Sequence, residues 1–441
     1  MNNSFAITIA GGGSTYTTGI VMGLLSRRAD FPVDSIMLFD NDGERQSKVS
    51  ILVELIVKDS GCDIKVNQTT DPKIAFTGCD FVLAQLRSGG LRMREVDEKV
   101  PLTFGCVGQE TCGIGGFSYG MRSIKDMIDI VEQVNTYAPQ AWILNYSNPA
   151  SIVAEAINRA HPDAKILNIC DMPLSIERSI AEAINVDVKD LECDYFGLNH
   201  FGWWTHIWNK NTGEDLLPKI LELTRTSGIT QDSSENSDDS WAATFKMLTN
   251  ITTDFPDLLP NTYLQYYLYP DEIVAKSNPE YTRANQVMDG REANVFNAAK
   301  VALAEGSLKN TDLRLGVHGE FIVDVARSIA MNEKNRFLII VQNNGAIPNM
   351  RSDAMVEIPC YVGARGPEPI RFKKDIPTFQ KGLMENQCAA EKLLVDAFFE
   401  QSYEKALQAF TLNRTVPSAT VAKKLLDAVI KANGDQFPPL N

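Results

Sequence analysis

Phe5-Ala6-Ile7-Thr8-Ile9-Ala10-Gly11-Gly12-Gly13-Ser14-Thr15-Tyr16 is the stretch whose reading decides the fold. Phe5 to Ala10 reads as a short apolar strand, the glycines as a tight turn, and a helical pattern begins near Thr17. A second apolar strand, Ile36 to Phe39, follows and ends in Asp40-Asn41-Asp42. Strand, glycine turn, helix and strand make a βαβ unit. The glycines let backbone approach a pyrophosphate, and the helix N-terminus supplies amide donors and a favourable dipole. Asp40 stands where an acceptor for a ribose diol belongs. Gly11, Gly12, Gly13, Ser14, Thr15 and Asp40 are therefore the expected nucleotide contacts. The charge of Asp40 would meet a 2′-phosphate unfavourably, so the reading is NAD rather than NADP. Tyr16 fills the slot of the third glycine, which should set helix and strand further apart.

Strand and helix go on alternating. Gly43 to Lys58 reads helical, Asp63 to Asn67 as strand, Pro72 to Thr77 as a short helix and Asp80 to Gln85 as strand. Residues 88–118 read as a long glycine-rich connection carrying Arg92, Arg94 and Glu110; long loops in compact domains are often functional. Ser123 to Tyr137 is an amphipathic helix, and Ala141 to Leu144 and Ala164 to Ile169 are further strands. Six strands alternating with helices predict an α/β, doubly wound Rossmann-type domain over residues 1–195. The pattern then changes. Residues 196–441 predict a mixed, mainly helical α+β domain. Within it, Gly197 to Ile207 reads as an extended aromatic segment and 227–240 as a polar, mobile surface loop. Gln380 to Thr411 reads as a long helix broken near Gln401, and Ala419 to Ala432 as another.

Composition narrows the function classes. A net charge of -14 argues against a nucleic-acid partner, and an anionic substrate would need a local cluster of Arg or Lys. The eight cysteines are scattered, with no zinc-ribbon spacing, and a chain of 441 residues needs no disulfide staples. They read as reduced thiols of a cytoplasmic protein. The N-terminus lacks the pattern of a signal peptide, and no apolar run is long enough to span a membrane.

In an open α/β sheet the carboxyl ends of the strands face the ligand crevice. Two of them carry chemistry: Asn145-Tyr146-Ser147-Asn148-Pro149 and Cys170-Asp171-Met172-Pro173. Cys170 could ligate a metal and Asp171 could carry a proton. Taken alone, the pair fits slightly better as a small buried thiol and a helix N-cap.

Together with Gly11 to Thr17 and Gly197-Leu198-Asn199-His200, these motifs resemble glycoside hydrolase family 4, in order and over nearly the whole chain. Those are NAD- and metal-dependent glycosidases, exceptions to hydrolysis by paired carboxylates. Cys-Asp-Met-Pro is similar to the 6-phospho-α-glucosidase branch. The resemblance implies a fold akin to lactate/malate dehydrogenases. It implies hydrolysis of 6-phospho-α-glucosides, such as maltose 6′-phosphate, to glucose 6-phosphate. Oxidation at sugar carbon 3 by NAD is followed by removal of the carbon 2 proton, elimination, water addition and re-reduction. The site residues follow from the same resemblance. Cys170 and His200 would hold Mn2+, which stabilises an enediolate, although a thiolate is softer than manganese normally selects. Asp171 would be the acid on the leaving oxygen and Tyr263 the base on carbon 2, with Glu110 hydrogen-bonded to its hydroxyl. Arg94 and Arg283 would take the phosphate, and Asn148 sugar hydroxyls. His318 is an outside candidate for the site. The family also implies a homodimer or homotetramer.

Plainer roles exist for several of these. Tyr263 could be aromatic packing beside Tyr266, Tyr267 and Tyr269, Glu110 a solvated loop carboxylate, and Arg94 one half of an ion pair. Rival functions are a 6-phospho-β-glucosidase, a non-phosphorylated α-glycosidase, a lactate/malate-type NAD-dependent hydroxy-acid dehydrogenase, and a non-catalytic NAD sensor.

Overall fold

The computed structural model describes residues 4–230, 239–311, 313 and 319–441. Six strands run parallel: β1 (Phe5–Ala10), β2 (Val33–Phe39), β3 (Lys65–Thr69), β4 (Phe81–Ala84), β5 (Trp142–Asn145) and β6 (Ile166–Asn168). Their order is 3-2-1-4-5-6, the doubly wound arrangement, which places a crevice where the order reverses beside β1. Ile7, Ile9, Ile36, Leu38 and Leu83 are all buried. Strands covered by helices on both faces need such near-continuous apolar runs.

The sheet does not stop at β6. Later strands are β7 (Leu191–Leu198), β8 (Phe201–Asn209), β9 (Leu259–Pro260), β10 (Asn335–Gln342), β11 (Met355–Gly363) and β12 (Gly366–Pro369). β10 runs antiparallel to β6, with Ile340 opposite Asn168, and β11 pairs with β10. β7 then pairs with β11 through Gly197 and Glu357, and β8 and β9 complete a twelve-stranded sheet. Residues 195 and 196 lie inside β7.

Two local readings change. The expected glycine-rich connection at 88–118 contains a helix, Gly90–Leu102, and a second helix already begins at Gly113 and runs to Tyr137. Its glycines serve close packing rather than flexibility. A Cβ on Gly115 would lie 2.2 Å from the Gln109 carbonyl oxygen, and one on Gly116 2.3 Å from that of Thr111. The expected extended segment at 197–207 is a hairpin, with Asn199 and His200 as its two-residue turn between Leu198 and Phe201. His200 has φ 62, the left-handed region that non-glycine residues rarely adopt.

Of the polar stretch 227–240, residues 231–238 lie outside the described residues, and a helix spans Asp239–Asp254. Helices Thr378–Glu400 and Tyr403–Leu412 are separated at Gln401, whose φ is 53. They pack with Ala419–Asn433 around Leu394, Phe410 and Leu425 in a second core, joined by Phe117. Among the described residues, no helix is long and apolar enough to cross a membrane.

Candidate active site

The carboxyl ends of the parallel strands open onto a cleft of about 1340 Å³. Thr15, Asn148, Cys170 and Asp171 reach it from that side, and Arg94 and Glu110 from the helix Gly90–Leu102 and the turn after it. His200, Tyr263 and Arg283 close it from the C-terminal half. Residues far apart in sequence therefore face one space. Gly11, Gly12, Gly13, Ser14 and Asp40 form the turn behind it. A Cβ on Gly11 would come 2.7 Å from the Gln85 carbonyl oxygen, and one on Gly12 2.8 Å from Leu38 Cβ, so this turn must be glycine. Asp40 accepts from the Gly13 N–H at 2.8 Å and the Asp42 N–H at 3.0 Å, which fixes the loop at the end of β2. Bare backbone ahead of the helix Thr17–Ser26 fits a dinucleotide.

Cys170 Sγ and His200 Nε2 lie 3.3 Å apart in a buried contact. Burial lowers the His200 imidazole to about 4, so it is neutral and able to ligate. Burial pushes the Cys170 thiol well above its ordinary value, and the charges of Glu357 and Asp171 add to this. The Met172 N–H and the Asn199 amide favour the thiolate, without prevailing. A cation arriving here must therefore displace a proton from sulfur. Among the described residues no group of three His, Cys, Asp or Glu could hold a metal ion. The pair suits a divalent cation that takes its remaining ligands from a bound molecule, and the donor types leave the metal's identity open.

Asp171 occupies the N-cap position of the helix Met172–Ala183, yet its side chain makes no capping hydrogen bond. The cap role suggested by its position is thus not taken up, and its carboxyl belongs to the cleft. Tyr146 Oη is buried beside the Asp171 carboxylate. Burial, then the nearby Asp171 carboxylate, push that hydroxyl well above 10.

Tyr263 sits in the 3-10 turn Thr262–Leu264. Its ring lies 5.0 Å from His200 and 5.2 Å from Tyr266, centroid to centroid. Burial raises its hydroxyl well above 10, and Tyr266 and Glu110 raise it further against the pull of Arg94. Glu110 is no solvated loop carboxylate. Its close partners are Arg87 at 2.6 Å and Arg94 at 3.1 Å, while Tyr263 feels its charge through space. Burial alone would raise the Glu110 carboxyl, but the two guanidiniums hold it at about 2.

Arg94 is buried and also donates to Glu98 at 2.7 Å, so the ion-pair role and a place in the cleft coexist. Arg92 is exposed. Arg283 opens the helix Arg283–Val287 after a capping box of Thr282 and Asn285, and donates to Gln286 at 3.2 Å. Asn148 is half-buried, precedes a cis Pro149, and its carbonyl accepts from Ser123 Oγ at 3.1 Å. His318 lies outside the described residues. His206 pairs with Asp215 at 2.7 Å near the surface.

Sequence reasoning missed two features. Glu357 is fully buried beneath the cleft, and a charged residue inside the apolar run Met355 to Cys360 was the signal. Arg291 lines the cleft with its guanidinium 4.1 Å from the centre of the Tyr16 ring, and nothing local in sequence marked it.

Residues 6–186 match the model of the family 4 glycosyl hydrolases, and residues 195–416 match that family's C-terminal domain. The chain belongs to glycosyl hydrolase family 4. It is 51% identical over 440 residues to maltose-6'-phosphate glucosidase MalH of Clostridium acetobutylicum, covering 99% of each chain. A crystal structure of a 6-phospho-alpha-glucosidase from gut microorganisms, in complex with NAD and Mn2+, is 46% identical, covers 100% of both chains and superposes with a TM-score of 0.97. A 6-phospho-alpha-glucosidase from gut microorganisms in complex with NAD and glucose-6-phosphate is 48% identical, with a TM-score of 0.95 and 100% coverage of both chains. Family 4 membership removes the hydroxy-acid dehydrogenase and sensor readings, although the dehydrogenase-like fold remains.

Proposed function

We propose that this family 4 enzyme is a 6-phospho-α-glucosidase. It hydrolyses 6-phospho-α-glucosides such as maltose 6′-phosphate to glucose 6-phosphate, with NAD and Mn2+. The observation that carries the reading is the meeting of Cys170, His200, Asp171 and Arg283 on one cleft beside the glycine turn. The Clostridium relative and the two gut-microbial structures support the α-linked, phosphorylated substrate and both cofactors.

Gly11, Gly12, Gly13, Ser14, Thr15 and Asp40 would hold NAD, and Cys170 and His200 the metal. When bound, these groups supply a reversible hydride acceptor and a Lewis acid. Arg94 and Arg283 hold the sugar phosphate, and planar guanidiniums suit its oxygens. Asn148 orients sugar hydroxyls. Tyr263 takes the carbon 2 proton, which requires its hydroxyl to fall from its raised resting value once the site fills. Asp171 delivers a proton to the leaving oxygen. Glu110 keeps Arg94 in place, together with Arg87, and makes the Tyr263 oxygen the stronger base. The enzyme works in the cytoplasm as a homodimer or homotetramer. Residues 1–195 form its NAD-binding unit, and residues 196–441 serve substrate, metal and assembly.

The test is hydrolysis of p-nitrophenyl α-glucoside 6-phosphate, with and without NAD and Mn2+, beside the β-linked and unphosphorylated analogues. Activity on the first compound alone, dependent on both additions, is expected. Equal rates on the unphosphorylated compound overturn the phosphate assignment, and a preference for the β-linked compound overturns the anomer.

A further inference from the structure

Glu357 has no established part in this site. It lies in the middle of β11 opposite Gly197 and is fully buried. One of its oxygens accepts from Asn199 Nδ2 at 3.2 Å, the other from Tyr195 Oη at 3.3 Å. Tyr195 Oη accepts in turn from Asn261 Nδ2 at 3.4 Å, and Asn261 Oδ1 accepts from the Tyr263 N–H at 3.0 Å. No lysine or arginine among the described residues pairs with it.

A buried carboxyl without a cation is costly, and an apolar residue would suit this strand better unless the group serves a purpose. Both of its donors lead to a turn of the site. Asn199 is the first residue of the hairpin turn that carries His200, whose left-handed backbone needs a firm surround to persist. Asn261 caps the 3-10 turn that carries Tyr263. These two turns are separated by about sixty residues of chain and meet on one side chain.

We propose that Glu357 is a positioning residue that holds the His200 turn and the Tyr263 turn in a common register, so that metal ligand and base face the same sugar. This rests on the site roles proposed above. Two variants separate the arms: Asn199→Ala cuts the path to the His200 turn and removes the amide facing Cys170, both on the metal side, and Tyr195→Phe cuts the path to Tyr263. Glu357→Gln keeps the volume but cannot accept both hydrogen bonds as before.

Mn2+ titration followed by electron paramagnetic resonance reads the His200 arm independently of turnover. Steady-state rates on substrate deuterated at carbon 2 read the Tyr263 arm. Asn199→Ala should weaken Mn2+ binding about 10- to 100-fold, as loss of groups that orient a metal ligand does. Tyr195→Phe should leave Mn2+ binding in place, lower kcat by roughly 10- to 100-fold and enlarge the isotope effect. Glu357→Gln should do both. The proposal is overturned if the single-arm variants lose thermal stability while Mn2+ affinity and the isotope effect stay at wild-type values. It is also overturned if each of the two single-arm variants moves both readouts alike. A wild-type protein that binds Mn2+ but does not cleave the phosphoglucoside refutes the function, while the Mn2+ arm still tests the positioning role. If Glu357→Gln does not fold, the single-arm variants decide.

Discussion

Glu110→Gln removes the one negative charge shared by Arg87 and Arg94 while keeping the shape of the side chain. The ion pairs at 2.6 and 3.1 Å are largely sheltered, with 17% of the Glu110 side chain exposed. The carboxyl is held at about 2 against an ordinary 4.5. That difference corresponds to about 3 kcal/mol of stability at neutral pH. Breaking a buried pair from one side costs about 3–5 kcal/mol by a separate route, so the two magnitudes agree. The sign follows from the direction of the shift. The folded value lies below the unfolded one, so the stabilisation is complete above 4.5 and is lost as pH falls from there through about 2. Urea unfolding of both proteins, from neutral pH down through the carboxylate range, should show a gap of about 3 kcal/mol that closes on acidification. A gap that stays constant with pH would refute the ion-pair account, because the two proteins differ by a charge only while Glu110 is ionised. In turnover, Tyr263 would lose a neighbouring negative charge, and the ascending limb of its rate profile should move to lower pH.

Three further perturbations probe other parts of the cleft. Cys170→Ser should lower Mn2+ affinity at least about 10-fold, measured by the metal concentration needed for half-activation; unchanged affinity would remove Cys170 from the ligand set. Arg283→Ala should cost about 2 kcal/mol, roughly 30-fold in kcat/KM on a phosphorylated glucoside, while half-activation by Mn2+ stays where it is in the wild type. Gly12→Ala places a methyl 2.8 Å from Leu38 Cβ. Calorimetric titration should then show NAD binding weakened by about 10-fold or more, with glucose 6-phosphate binding retained.

The parallel half of the sheet was legible because most of its strands are buried apolar runs that end in turn or polar residues, as at Ala10-Gly11 and Ile169-Cys170. The sheet's continuation was not, because it depends on pairings such as Asn168 with Ile340, which leave no local trace. Glycine was misread at 115 and 116, where density of glycine suggested a loop and the real demand is backbone-to-backbone contact. The hairpin turn was hidden because its left-handed residue is a histidine rather than a glycine. For the site, the strand ends put Asn148, Cys170 and Asp171 at the crevice, but their roles came from the family resemblance, since Cys170 and Asp171 alone fitted slightly better as a buried thiol and a helix cap. Tyr263 could not be separated from its neighbouring tyrosines without the family resemblance, since all of them are aromatic residues in one short stretch. Glu357 left a readable sign, a lone carboxylate among buried apolar residues, and was passed over.

The pairing of β6 with β10 has a consequence for biosynthesis. When β6 leaves the ribosome, the strand that covers its edge is still some 170 residues from being made. At about 5–20 residues per second this interval is on the order of ten seconds or more. Throughout it the nascent sheet presents an open, apolar hydrogen-bonding edge, the kind of surface that recruits other chains. Fragments ending before β10 should therefore partition into aggregates or onto chaperones, and the nucleotide-binding half should resist isolation as a separate protein.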